Sequence, residues 1–310
     1  MGKQEKLELG QSVEDMAQAL EGHPDYRVLR RLVPRQDFGV VEHGPTVTVA
    51  ILDVETTGMD PRHDRIIELA MILVEVDPGS GRAVRVLEEY EGFEDPGAHI
   101  DAQITRLTGI DDAMVQGKKL DEEGVAALLA RSTLVIAHNA RFDRAFMENR
   151  FPEFANVAWA CSCTEIDWSA EDFSSAKLSS LAMGYGWFFD GHRALVDCHA
   201  VLAVIDHRLP VSQGTGLGRL LAVAREGSYR VRATAAPFEV KDTLKARGYR
   251  WDAEARVWHT LVRGEGPLAA ERAWLKEKIY GGKGATIAVE ELDAKVRFSV
   301  RSGRPDAVRL

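Results

Sequence analysis

The stretch Val49 to Gly58, VAILDVETTG, constrains this chain more than any other. An apolar run rich in β-branched residues reaches Asp53, and Glu55 follows two positions later. Alternate residues of a strand share a face. If the strand runs as far as Glu55, both carboxylates leave the same side of its C-terminal end. Two adjacent acids repel each other unless a cation sits between them. Thr56, Thr57 and Gly58 then break the strand with small residues that let a bulky ligand approach. The stretch reads as half of a divalent-metal site, and taken alone it reads equally as a solvated strand end.

With 310 residues the chain can bury a large core and hold two domains. No apolar run approaches the ~20 residues that cross a bilayer. The opening MGKQEKLELG is polar and lacks the apolar centre of a signal peptide. The expectation is a cytoplasmic protein with no membrane partner. Cys161, Cys163 and Cys198 form an odd, sparse set with no matching Cys or His pair, which argues against zinc and for reduced thiols. Charge divides unevenly. From Tyr229 onward there are 17 basic and 11 acidic residues; before it there are 22 and 37. An acidic metal-binding domain joined to a basic one gives this asymmetry.

Residues 11–22 read as a short amphipathic helix capped by Ser12, and HPDYRVLRRLVPR as a second one before Pro34. Strands are expected over 46–53, 65–76 and 83–90, the last two joined by DPGSG, an antiparallel meander. Helices are expected over 121–130, 141–150, 177–183 and 195–205, with a short strand over 133–137. This pattern predicts an α/β fold, a mixed sheet flanked by helices. The linker is placed at 210–215, followed by a bridging helix over 217–225. The second unit reads as strand, helix over 241–247, hairpin over 249–262, helix over 267–279, and strands over 285–301. The expected division is a helical extension over 1–45, a first domain over 46–209, a linker and helix over 210–228, and a small basic α+β domain over 229–310.

Two further stretches complete the first. In AHNARFDRAF, Asp143 lies about a turn into a helix; in GHRALVDCHAVLAVI, His192 precedes Asp197 by five positions at a loop-to-helix junction. Alone, Asp143 reads as a solvated helix residue and His192 as a surface histidine. Together with Asp53 and Glu55 they point to one chemistry. Four acids can hold two divalent ions ~3.5–4 Å apart for an in-line displacement at phosphorus. Oxygen ligands favour Mg²⁺ or Mn²⁺. An imidazole can take a proton from water near neutral pH.

DVETTG, HNARFD and His-x4-Asp, in this order, resemble the three motifs of the DEDD 3′–5′ exonucleases, which have a ribonuclease H-like fold. The His five before the last Asp matches the DEDDh branch; the Tyr branch would need Tyr at position 193, which is Arg. The likeness is strongest to the proofreading epsilon subunit of bacterial DNA polymerase III and its stand-alone relatives, and covers about residues 46–208. It implies metal ligation by Asp53, Glu55, Asp143 and Asp197, with His192 as general base. It also implies release of nucleoside 5′-monophosphates from 3′ ends. Thr56, Thr57, Gly58 and Met59 correspond to the loop that takes the terminal nucleotide; His138, Asn139 and Phe142 fall in the second motif. For Phe142, core packing is an equal alternative. LTGI, residues 107–110, resembles a substrate-side turn, but Thr108 stands where many epsilon-type members have His.

The expected partner is nucleic acid with a free 3′ end, single-stranded DNA favoured, and the likeness allows for a DNA polymerase partner. An exoribonuclease using the same site is the alternative, though DVETTG leans towards DNA. An inactive binding adaptor would need a lost ligand, and all five positions are filled. In the second unit Lys241, Lys245, Arg247, Arg250 and Arg256 alternate with Tyr249, Trp251 and Trp258, as a nucleic-acid surface or as a small core with a solvated face. On the first reading, a fragment ending near Arg225 keeps its chemistry on short oligonucleotides and binds long ones weakly.

Overall fold

The computed structural model describes residues 12–39, 44–301 and 303–310. Its elements, in chain order, are α1 (Val13–Glu21), β1 (Arg30–Arg31), β2 (Val47–Thr56), β3 (Ile66–Asp77), β4 (Arg82–Phe93), α2 (Ala102–Thr108), α3 (Asp112–Val115), α4 (Glu122–Arg131), β5 (Leu134–Ala137), α5 (Ala140–Arg150), β6 (Trp159–Cys161), α6 (Leu178–Gly184), β7 (Trp187–Phe188), α7 (Ala194–Asp206) and α8 (Gly216–Arg225). The second sheet follows with β8 (Ser228–Ala233), α9 (Lys241–Ala246), β9 (Arg250–Asp252), β10 (Val257–Arg263), α10 (Glu265–Trp274), β11 (Thr286–Leu292) and β12 (Arg304–Arg309).

The first sheet runs β4-β3-β2-β5-β6, antiparallel across β4, β3 and β2 and parallel from β2 through β6. This is the mixed sheet that a meander followed by alternating helices and strands predicts. β2 is central and covered on both sides. Val49 and Ile51 face a layer built by α7 (Val201, Leu202, Ile205) and α8 (Leu217, Leu220). Ala50, Leu52 and Val54 face α4 (Val125, Leu128) and α5 (Phe146, Met147). The strand's period of two therefore sends alternate side chains into two separate cores. The helix expected as a bridge, α8, is part of the first of them.

The cap of α1 is as expected: Ser12 and Asp15 form a capping box. The helix expected after it is absent. Arg30–Arg31 instead pairs in parallel with Trp187–Phe188, with Arg30 N–H on the Gly186 carbonyl at 2.9 Å and Leu32 N–H on the Phe188 carbonyl at 2.8 Å. An open strand edge more than 150 residues downstream outweighs local helix preference, because those backbone groups need partners.

The second sheet, β12-β11-β8-β10-β9, is antiparallel throughout and carries its own core of Val231, Tyr249, Leu275, Ile287 and Val289. The continuous strands expected over 285–301 are interrupted. After Leu292 the chain leaves this sheet and crosses back to the first. Trp159 N–H donates to the Ala294 carbonyl at 2.8 Å, extending the outer edge of β6. Arg144, fully buried, donates to the carbonyls of Lys295 and Arg297 and pairs with Glu148 at 2.7 Å. Arg297 pairs with the buried Glu165 and donates to the Val223 and Glu226 carbonyls. A fragment ending near Arg225 would strip these partners from Arg144 and Glu165, so it cannot isolate the chemistry cleanly. Arg297→Ala is expected to cost about 3 kcal/mol, the low end for breaking a buried ion pair, since Arg263 stays 3.4 Å from Glu165. Denaturant unfolding of the full chain measures it.

Candidate active site

Asp53 and Glu55 project on the α7 side of β2, as period two requires. Asp197 sits in the first turn of α7, which packs across β2 and β3. The carboxylates of Asp53, Glu55 and Asp197 meet with oxygens within 4.8 Å of one another. Asp143 arrives from the opposite layer, in the first turn of α5. β5 pairs with β2 only as far as Ile51, and beyond that point the Val54 backbone amide lies beside Asp143 and favours its charged form. The four acids thus gather as a close trio plus a fourth that is almost fully buried alongside.

Burial and mutual repulsion raise all four acids. Desolvation pushes Asp53 well above the usual carboxylate range, reinforced by Asp143, Asp197, Glu55 and Glu68. Desolvation and then Asp197 push Glu55 up to about 8. Asp143 and Asp197 rise mainly by burial, opposed in each case by backbone N–H donors. Such a set gains most from a cation, and its all-oxygen donors suit a hard divalent ion. Folded-state pKa values raised above the unfolded ones mean that the metal-free fold is stabilised at low pH. That stability is lost as pH rises from about 4, where free carboxyls ionise, towards about 8, where Glu55 does. In EDTA the Tm should therefore fall across this window. Mn²⁺ should raise it more at the alkaline end than at the acid end. A Tm insensitive to both would show that the acids do not share one site.

His192 is exposed, at a φ of 65° in the turn before α7. The Arg193 backbone N–H donates to Asp197 at 3.2 Å, and the neighbouring His192 amide helps hold the Asp197 charge. The turn is fixed from below by Glu68, a residue that sequence reasoning missed. Glu68 lies on β3 opposite Glu55, is fully buried, and accepts the Ala194 N–H at 2.9 Å and the Arg193 guanidinium at 3.0 Å. The signal was present: an acid interrupting the apolar run IIELAMILV. Cys198 is sealed beneath the acids, near the Ile51 and Ala70 carbonyls, and its thiol is pushed far up by burial.

Among the other expected contacts, Met59 stands out, 77% exposed on the loop after β2. The Thr56 hydroxyl is turned inward onto the Gly58 carbonyl at 2.6 Å, and Thr57 bonds Asp64 at 3.2 Å. A Cβ at Gly58 would lie 2.5 Å from the Asp64 carboxylate, so a larger residue there would displace Asp64 from its bonds to Thr57 and the Asp60 N–H. Asn139 takes a left-handed φ of 83° before α5, and Phe142 packs towards Phe146 and the core beneath α5. His138 is held at both ring nitrogens: Nε2 donates to the Ala176 carbonyl and Nδ1 meets the Ser162 hydroxyl, both at 2.9 Å. Burial lowers its pKa to about 4, so the ring is neutral and ties two loops together. In LTGI, Thr108 is buried and its hydroxyl bonds the Ile104 carbonyl, closing α2 before Gly109 at φ 74°.

The acidic cluster stands at the end of the central strand of the mixed sheet, inside the part of the chain that matches a family of exonucleases. The family model RNase T, described as exonuclease, matches residues 50–205, and the chain belongs to that family. Curated relatives include the PolC-type DNA polymerase III of Thermotoga maritima, 28% identical over 202 residues, covering 62% of this chain and 14% of that protein. The PolC-type enzyme of Caldanaerobacter subterraneus subsp. tengcongensis is 28% identical over 177 residues, 54% of this chain and 12% of that protein. The chain thus matches only a small part of their length. Among solved structures, exonuclease X in complex with 5′-overhanging duplex DNA aligns with TM-score 0.38 and 22% identity, over 55% of this chain and 99% of that one. E. coli exonuclease I with a dA16 oligonucleotide aligns with TM-score 0.45 and 16% identity, over 73% and 68%. No helix among the described residues is long and apolar enough to cross a membrane.

Proposed function

We propose that the protein is a 3′–5′ exonuclease that hydrolyses DNA from free 3′ ends to nucleoside 5′-monophosphates. The convergence of Asp53, Glu55 and Asp197 from two elements carries this reading. Asp143 completes the ligand set for two Mg²⁺ or Mn²⁺ ions. With such ions held there, the site neutralises charge on the attacking and leaving oxygens at phosphorus. His192, on the solvent side of the acids, takes the proton of the attacking water. Arg193 and Glu68 fix the turn that carries it. Met59 offers an exposed apolar face to the terminal base, and Gly58 lets Asp64 pack against the loop that carries it. The DVETTG motif and the DNA-polymerase relatives favour DNA over RNA.

The domains divide the labour in this reading: residues 46–209 bear the chemistry, the small basic domain over 229–310 assists, and in the extension over 1–45 the described segment Arg30–Leu32 braces β7. Incubation of 5′-labelled DNA and RNA oligonucleotides with Mn²⁺ tests the function. Stepwise shortening of DNA is expected. Shortening of RNA alone would shift the substrate, and intact oligonucleotides of both kinds would refute the activity.

A further inference from the structure

We propose that the end of the second sheet where α9 meets the β9–β10 hairpin binds single-stranded DNA, a reading that rests on the nuclease function above. Phe238 is 74% exposed and Trp251 51% exposed, rings that a core would cover. Lys241 Nζ lies 4.3 Å from the Phe238 ring centroid, and Lys245 Nζ 6.0 Å from that of Trp258. Trp258 in turn packs on Trp251 at 5.4 Å. Ammonium groups and rings therefore alternate along one surface. Arg250 and Arg256 are exposed on the same hairpin and have no ion pair among the described residues.

Two residues of the expected nucleic-acid stretch leave this surface. Tyr249 is buried and its hydroxyl donates to Glu271, and Arg247 pairs with Glu271 at 3.0 Å. The remainder is half core and half exposed, which a purely structural role does not require.

A single strand alternates flat bases with phosphates, and rings beside cations match both. Glu239, Asp242 and Glu254 stand among the lysines and arginines, while Asp252 is occupied by the hairpin N–H groups of Glu254 and Ala255. Stacking therefore sets the local affinity. The wider attraction comes from the basic excess after Tyr229, opposite in sign to the rest of the chain. Held here, the distal part of a strand stays bound while the acidic catalytic half works on its 3′ end.

The test is fluorescence anisotropy of the full chain in EDTA with a 5′-labelled oligothymidylate of about 20 nucleotides, longer than the ~4–16 covered by small single-strand-binding folds. Trp251→Ala should weaken binding about tenfold. Lys241→Ala/Lys245→Ala should reduce the slope of log K against log salt by about 1.4, two phosphate contacts. Phe238→Ala, at the most exposed ring, serves if Trp251→Ala unfolds. All these variants should cleave a labelled trinucleotide with Mn²⁺ as the unmodified chain does. Unchanged affinity and slope overturn the surface, whether or not the patch then docks a protein. If the unmodified chain cleaves the trinucleotide, the nuclease reading survives that result. If it does not, the nuclease reading fails on its own account.

Discussion

Asp53→Ala is expected to abolish hydrolysis of a 5′-labelled DNA oligonucleotide in Mg²⁺ or Mn²⁺, by at least ~10³-fold. Charge stabilisation by a bound ion is worth several kcal/mol at the transition state, and each ~1.4 kcal/mol is tenfold in rate. Asp53 is the acid that the other carboxylates crowd most, with Asp143, Asp197, Glu55 and Glu68 all acting on it. Its loss removes the anchor of the trio and also removes repulsion. The same variant should therefore unfold in EDTA at about pH 8 no more easily than the unmodified protein, and gain less Tm from Mn²⁺. Activity retained in this variant would end the ligand assignment. Loss of activity accompanied by collapse of the fold would leave Asp53 a structural residue.

His192→Ala is expected to lower turnover by ~10²–10⁴-fold, the contribution of a positioned proton acceptor. The Arg193 N–H still donates to Asp197 whatever the side chain at 192, and the contacts of Glu68 with Arg193 and the Ala194 N–H still hold the turn. The Mn²⁺-induced rise in Tm should therefore persist. The combination of failed turnover with intact ion binding separates His192 from the acids. Near-normal turnover would make it a bystander, and loss of the Mn²⁺ effect would make it part of the ion site.

The residues of the candidate site were legible in the sequence because they lie in short, ordered patterns. Asp53 and Glu55 share a strand face by period two alone, and the spacing of His192 and Asp197 fits within one turn-to-helix junction. The β2-β3-β4 meander was legible for the same reason, from runs of apolar residues and a single strong turn. His138 and Phe142 fell within a recognisable motif. Whether their side chains face solvent or the interior depends on neighbours as distant as Ala176 and Phe146. The second unit showed its helices and hairpin but not the excursion over 293–301, whose partners Arg144, Trp159 and Glu165 lie far earlier in the chain.

The sequence by itself determined the family, the mixed α/β architecture, the paired acids at the end of one strand and the opposite charge of the two halves. Each is a property of composition, or of short motifs and elements read in their order along the chain. Only the tertiary structure decided that Asp53, Glu55 and Asp197 form a close trio with Asp143 approaching from the other layer, and that Glu68 underpins the His192 turn. It also decided that β1 takes strand rather than helix, and that the C-terminal chain laces back onto β6. These outcomes depend on which backbone groups and buried charges find partners across more than a hundred residues, a choice made by packing rather than by local propensity.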